Sequence, residues 1–264
     1  MEYPYICVAV LAKQKEAMLP SWLESLEAWD YPKDKIELYV RTNNNTDNTA
    51  KILREWVEKN WGNYFNIFFD DSDLEVDIQK YGVHEWNSTR FKALGKIRNE
   101  SVDFAAREGH RFYVVCDVDN FVLPHTIRKL VSLNLPVVAP FLKYAPAENE
   151  ETHAYYSNYH LLTNQYGYYL DDMRYYQVWR QELSGHIICD VVHCTYVIRS
   201  DVFPFVDYVD GTDDYEYVIF SRNLRKAGIP QYLDNTEVGG YLTLHENVEA
   251  VNKAMKGLIN GNNL

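Results

Sequence analysis

Neither of the common glycine loops that cradle a nucleotide phosphate occurs in this chain: there is no G-x-x-x-x-G-K-[ST] and no G-x-G-x-x-G. P-loop enzymes and the usual dinucleotide dehydrogenases are excluded with them. The four cysteines, Cys7, Cys116, Cys189 and Cys194, form no C-x-x-C pair, and each lies in or beside an apolar run. Buried free thiols are expected, which favours a reducing compartment. No apolar stretch approaches the ~20 residues needed to span a bilayer. The start, Met1-Glu2-Tyr3-Pro4, has neither the basic residues nor the long apolar segment of a signal peptide. There is no basic arm and no zinc-finger spacing, and the net charge of −12 opposes nonspecific nucleic-acid binding.

Aromatic residues are plentiful: 15% of the 264 residues, with 22 Tyr and 6 Trp. Their flat faces and polar edges suit sugars and peptides, and the acidic balance is compatible with a cationic polypeptide acceptor. The length suits one large α/β domain. We read 1–264 as a single unit, with a nucleotide-sugar half over 1–140 and an acceptor half over 141–264. The length also admits a homodimer.

The first 140 residues alternate strand and helix signals. Tyr5 to Leu11 is a continuous apolar run, as in a strand buried on both faces. Leu19, Trp22, Leu23, Leu26 and Trp29 repeat at helical spacing. Strand signals at Ile36–Val40 and Asn66–Phe69 flank a helix whose apolar face is Ile52, Leu53, Trp56, Val57 and Trp61. A helix through Phe91, Leu94, Ile97, Val102 and Ala105 leads to the apolar run Phe112–Cys116. Leu123–Leu133 reads as a helix and Pro136–Ala139 as a strand. Such alternation predicts a mostly parallel, Rossmann-like sheet with helices on both faces. Beyond 141 the chain is rich in Tyr, Asn and acids with little periodicity. Ile187–Ile198 then reads as one strand and Asp214–Ala227 as a helix.

Phe112–Cys116 ends in Asp117-Val118-Asp119. Carboxylates at i and i+2 of an extended segment point the same way and repel unless a cation lies between them. A hard divalent ion, Mn²⁺ or Mg²⁺, suits oxygen ligands and commonly accompanies a phosphate-bearing substrate. With glycine loops excluded, what remains is metal-mediated diphosphate binding at the carboxyl end of an α/β sheet, the glycosyltransferase A arrangement. In it the end of the first strand, Leu11-Ala12-Lys13, and the polar run Thr42–Asp47 hold the base and ribose. The same polar run also reads as a turn with a helix cap. His245 follows a late strand signal and is a candidate third ligand; His193, inside an apolar run, reads as a core or pocket-floor histidine. Lys96 and Arg98, on the helix before the metal strand, are candidate phosphate contacts or a solvated helix face. Trp86, Trp179 and the Tyr155–Tyr176 cluster are candidates for stacking on an acceptor.

In chain order the sequence carries Val8-Ala9-Val10-Leu11-Ala12, Asp30-Tyr31-Pro32-Lys33, Asp47-Asn48-Thr49, Ser88-Thr89-Arg90-Phe91 and Asp117-Val118-Asp119-Asn120-Phe121. Tyr156-Ser157-Asn158, Val192-His193-Cys194-Thr195, Asp213-Asp214 and Gly240-Tyr241-Leu242 follow. This ordered set resembles the collagen glycosyltransferase family, meaning procollagen galactosyltransferases and the related glucosyltransferase domain of multifunctional lysyl hydroxylases.

The resemblance implies a Mn²⁺-dependent transfer of glucose or galactose from a UDP-sugar to collagen hydroxylysine or galactosyl-hydroxylysine. It implies Asp117, Asp119 and His245 on the metal, and Leu11, Thr42, Asn44 and Asp47 on uridine and ribose. It assigns Asp213 and Asp214 to the donor sugar and acceptor, with Asp214 as base if the reaction inverts. Two rivals stand beside it: transfer to lipopolysaccharide or another glycan, and a catalytically silent adhesion or scaffold role. The family's animal members enter the endoplasmic reticulum, carry retention signals and have further domains. This chain shows none of these features, so the expectation is a soluble, cytoplasmic collagen-modifying system, viral or microbial.

Overall fold

The computed structural model describes residues 2–75, 87–145, 155–244 and 247–260. In chain order its first strands are β1 (Ile6–Ala12), β2 (Ile36–Thr42), β3 (Asn66–Asp70), β4 (Phe112–Cys116), β5 (Asn120–Val122), β6 (Val137–Pro140) and β7 (Leu142–Tyr144). They are followed by β8 (Tyr159–His160), β9 (His186–Cys189), β10 (Val191–Val192), β11 (Thr195–Arg199), β12 (Gln231–Asp234) and β13 (Gly240–Leu242). The helices are α1 (Leu19–Glu27), α2 (Thr49–Asn60), α3 (Ser88–Arg107), α4 (Thr126–Leu133), α5 (Met173–Trp179), α6 (Glu216–Lys226) and α7 (Val248–Ile259).

Eight strands form the main sheet in the order β3-β2-β1-β4-β11-β6-β12-β9. Only β11 and β9 run against the others, so the expected mostly parallel α/β sheet is present. Alternate residues of β1 serve opposite faces, as strand geometry requires. Ile6, Val8 and Val10 pack with Trp22, Leu53 and Ile127 of α1, α2 and α4. Cys7 and Ala9 pack with Val102, Ala105 and Phe220 of α3 and α6. Helices therefore cover both faces, which explains why β1 and β4 read as unbroken apolar runs.

Two local readings differ. Leu123–Leu133 is not all helix: β5 ends at Val122, and α4 begins only at Thr126, after Pro124. Ile187–Ile198 is three short strands rather than one. Asp190 turns the chain because its carboxylate accepts from the Thr163 amide and hydroxyl. Cys194 turns it again with a left-handed backbone, φ 64°. All four cysteines are free, as expected. Among the described residues no helix is long and apolar enough to cross a membrane.

Candidate functional site

Asp117 and Asp119 do not continue β4 as an extended segment. The Asn120 amide donates to the Asp117 carbonyl at 2.9 Å, closing a tight turn between β4 and β5. Three contacts pin it. The Asp117 amide donates to the Cys194 carbonyl at 3.0 Å. The Trp22 indole donates to the Asn120 carbonyl, and the Asn120 amide group donates to Thr195. A small second sheet fixes the far side: β13 pairs with β5 and β7, and the Thr243 amide donates to the Asp119 carbonyl. Gly240 permits that pairing, because a Cβ there would lie 2.0 Å from the Phe121 carbonyl oxygen.

The turn opens into a cleft of about 460 Å³ lined by β1, α3, the turn itself, the His193–Cys194 corner and the start of α6. Cations are concentrated there. Lys13, Lys15, Arg41, Arg90 and Arg98 line it, against the carboxylates Asp117, Asp119 and Glu216. In a chain with 38 acidic and 26 basic residues that local excess is the reverse of the whole, and it suits a phosphate-bearing anion.

Each aspartate holds one of these cations. Arg98 Nη2 lies 2.8 Å from Asp117 Oδ1, and its Nε lies 3.6 Å from Glu216. Lys15 Nζ lies 3.2 Å from Asp119 Oδ2. Burial pushes the Asp117 carboxyl up; Arg98 pulls it down and Asp119 pushes it up again, leaving it raised overall. Glu216 is raised in the same way, by burial first. The cations stand where two neighbouring carboxylates need positive charge. A pair of carboxylates also fits a hard divalent ion held jointly with substrate phosphates. Among the described residues no group of three or more His, Cys, Asp or Glu side chains could hold a metal unaided. His245 lies outside the described residues, as does Trp86.

The loops after β1 and β2 are stitched together. The Gln14 amide donates to Asn45, Gln14 Nε2 to Thr46, the Lys15 amide to Thr49, and the Glu16 amide to Asp47. Leu11, Ala12, Lys13, Arg41 and Asn43 consequently face the cleft at one end. Thr42, Asn44 and Asp47 belong to the same loop but are not among the lining residues. Thr42 accepts from Asn45, Asp47 caps the Thr49 amide, and Asn44 exchanges hydrogen bonds with Leu74. Asn44 also takes the left-handed backbone, φ 47°, that asparagine tolerates.

At the opposite end His193 forms part of the floor. It is 3% exposed, its Nδ1 lies 2.8 Å from Cys194 Sγ, and its ring lies 4.9 Å from that of Tyr217. Burial, with His160 adding to it, holds this imidazole well below the usual histidine range.

Asp213 and Asp214 are absent from the lining, although their neighbours Tyr215, Glu216 and Tyr217 are in it. Asp213 pairs with Lys92 at 2.6 Å. Asp214 accepts from Tyr168 at 2.6 Å and from Arg222 at 2.8 Å. Burial would raise the Asp214 carboxyl, but the Tyr168, Arg222 and Thr212 hydrogen bonds outweigh it and hold it low. Lys96 is exposed on α3, whereas Arg98, two residues on, is buried in the cleft. Sequence reasoning missed Lys15 and Glu216. Glu216 sits two residues past the acidic pair that drew attention, while an isolated lysine such as Lys15 carries no pattern.

The family model described as glycosyltransferase family 25, N-terminal domain, matches residues 3–262. Procollagen galactosyltransferase 2 of Homo sapiens is 31% identical over 94% of this chain and 41% of its own length. Inactive glycosyltransferase 25 family member 3 of Mus musculus is 26% identical over 93% of this chain and 42% of its own length. The chain thus spans about two-fifths of the curated relatives it matches. Among solved structures, S. aureus TarS 1–349 in complex with UDP-GlcNAc aligns with TM-score 0.57 and 16% identity, covering 93% of this chain and 60% of that one. The mannosyltransferase PcManGT from Pyrobaculum calidifontis, in complex with GDP-Man and Mn²⁺, aligns with TM-score 0.53 and 13% identity, covering 92% and 57%. The fold is that of the glycosyltransferase A type.

Proposed function

The chain belongs to glycosyltransferase family 25, and on that premise we propose that it transfers glucose or galactose from a UDP-sugar to a collagen-type acceptor. The observation that carries this reading is the cation-rich cleft built around Asp117 and Asp119 in an otherwise acidic chain. The stitched loops after β1 and β2 take the uridine and ribose, with Leu11, Arg41 and Asn43 facing the ligand and Thr42, Asn44 and Asp47 holding the loop in shape. Lys13, Lys15 and Arg90 neutralise the diphosphate.

Asp117 and Asp119 would hold Mn²⁺ together with the phosphates, and His245 is the proposed third ligand. Bound there, the ion supplies Lewis-acid stabilisation of the departing diphosphate. Arg98 opposes the burial that pushes the Asp117 carboxyl up and orients it; Glu216 keeps Arg98 in place. Asp214, one residue before the cleft-lining Tyr215, takes the acceptor hydroxyl proton once Tyr168 and Arg222 release it, and Asp213 lies beside it. The acceptor is hydroxylysine or galactosyl-hydroxylysine.

A silent scaffold role is the second reading. It is favoured by one observation: both aspartates already have side-chain cations, Arg98 and Lys15. The deciding experiment measures UDP release from UDP-glucose and UDP-galactose in Mn²⁺, offering a hydroxylysine collagen peptide and its galactosylated form. Turnover on one donor and acceptor pair supports the transferase. No turnover on any pair, with UDP still bound, leaves the silent role or another glycan acceptor.

A further inference from the structure

Among the described residues that line the cleft, Arg98 and His193 carry buried side-chain nitrogens without a hydrogen-bond partner. Arg98 still faces the carboxylates of Asp117 and Glu216, whereas the His193 nitrogen faces no charge partner. His193 lines the cleft at 3% exposure; its Nδ1 is turned to Cys194 Sγ, and its Nε2 has no hydrogen-bond partner among the described residues. Buried polar atoms are almost always bonded, so an exception in a cleft wall marks a place that a ligand or a water fills.

The position of this nitrogen is held by unusual backbone. The His193 amide donates to the Asn158 carbonyl at 3.0 Å. Cys194 adopts φ 64°, a conformation costly for a residue with a Cβ. Its carbonyl then reaches the Asp117 amide, so the His193 corner and the carboxylate turn are tied directly together. Tyr217 lies against the imidazole at 4.9 Å and 31°, and also lines the cleft.

Sheet order says which part of the ligand meets this corner. β1 flanks β4 on one side and β11 on the other. On the nucleotide-sugar reading, which this inference rests on, the nucleoside occupies the β1–β2 side and the diphosphate lies at Asp117 and Asp119. The hexose therefore extends to the β11 side. There an imidazole can donate to or accept from a hydroxyl, and the Tyr217 ring offers a flat face to the sugar's C–H groups.

We propose that His193 Nε2 hydrogen-bonds a ring hydroxyl of the donor hexose, with Tyr217 beside it, and so contributes to the choice of sugar. A site built to bond a hydroxyl discriminates against donors that lack it or misplace it. His193 is a binding residue in this account and takes no part in bond breaking.

The test titrates UDP, UDP-glucose and UDP-galactose, each with Mn²⁺, into the full chain and into His193→Phe and His193→Gln. Phenylalanine keeps the ring and removes the nitrogen; glutamine keeps a polar group and carries the test if the phenylalanine variant does not melt cooperatively. The expected result is a loss of about tenfold in affinity for the preferred UDP-hexose in His193→Phe. UDP itself should bind both variants within twofold of the parent, and His193→Gln should lose less. Parallel weakening of UDP and UDP-hexose would assign His193 a purely structural role, and unchanged UDP-hexose affinity would remove it from the sugar site. If the parent chain binds no UDP, the nucleotide-sugar reading itself fails, a result distinguishable from either.

Discussion

Arg98 and Asp117 form an ion pair at 2.8 Å in which the arginine side chain is only 4% exposed and the aspartate 27%. Asp119, two residues away, pairs instead with Lys15, and those side chains are 30% and 22% exposed. The two aspartates of one motif are similarly exposed but hold different cations, one buried and one open. Removing one partner of a buried pair costs up to about 3–5 kcal/mol, moderated here because Glu216 stays 3.6 Å from Arg98, whereas a more open pair contributes below about 1 kcal/mol. Asp117→Ala should lower Tm by roughly 6–12 °C. Asp119→Ala should stay within about 3 °C of the parent and lose Mn²⁺-dependent UDP binding. Melting curves of equal midpoint for the two variants would refute the asymmetry.

Asp214 offers a second test. It is one residue from the cleft lining, and its carboxylate is held by Tyr168 and Arg222. Asp214→Asn keeps the shape and removes the base. Transfer should fall at least about a hundredfold with UDP affinity unchanged. An unchanged rate with a lowered Tm would make Asp214 a clamp between the 168 loop and α6.

Gly240 has no room for a side chain, with a Cβ predicted 2.0 Å from a backbone oxygen. Gly240→Ala must open the β5–β13 ladder and withdraw Thr243 from Asp119. Stability should drop by at least about 3 kcal/mol, and UDP binding should weaken with it. Normal UDP affinity in a destabilised variant would show that β13 does not support the turn.

His160 gives a pH signature away from the aspartates. Burial, with the Arg225 charge adding to it and Asp190 opposing, lowers its pKa to about 4 from the usual 6.5. The unfolded chain takes up a proton through that window and the folded chain does not. Stability is therefore lost as pH falls from about 6.5 to about 4, by at most about 3 kcal/mol, and this contribution levels off below pH 4. His160→Gln should flatten the fall in Tm between pH 6.5 and 4; an identical slope in parent and variant would contradict the buried, uncharged imidazole.

The parts of this molecule legible in sequence are those where burial is two-sided and local. β1 and β4 announce themselves because helices cover both faces, and the acidic end of β4 marks the cleft. The geometry of that end is not legible: Asp117 and Asp119 occupy a turn because Cys194, Trp22 and Thr195, remote in sequence, bond its backbone. The break inside Ile187–Ile198 was hidden for a similar reason, since the apolar pattern continues while Asp190 and Cys194 change direction. Arg98 was visible as a candidate but its partner was not, because the Asp117 contact spans 19 residues and the Glu216 contact more than a hundred. Lys15 takes its place from a loop stitched by polar side chains, which leaves no periodic trace.

The most direct test of the whole account is calorimetric titration of UDP into the parent chain and Asp119→Ala, with and without Mn²⁺. The account predicts binding by the parent that depends on Mn²⁺ and is lost in the variant while its Tm holds. UDP binding that is indifferent to both the metal and the substitution, or absent from the parent, would contradict it.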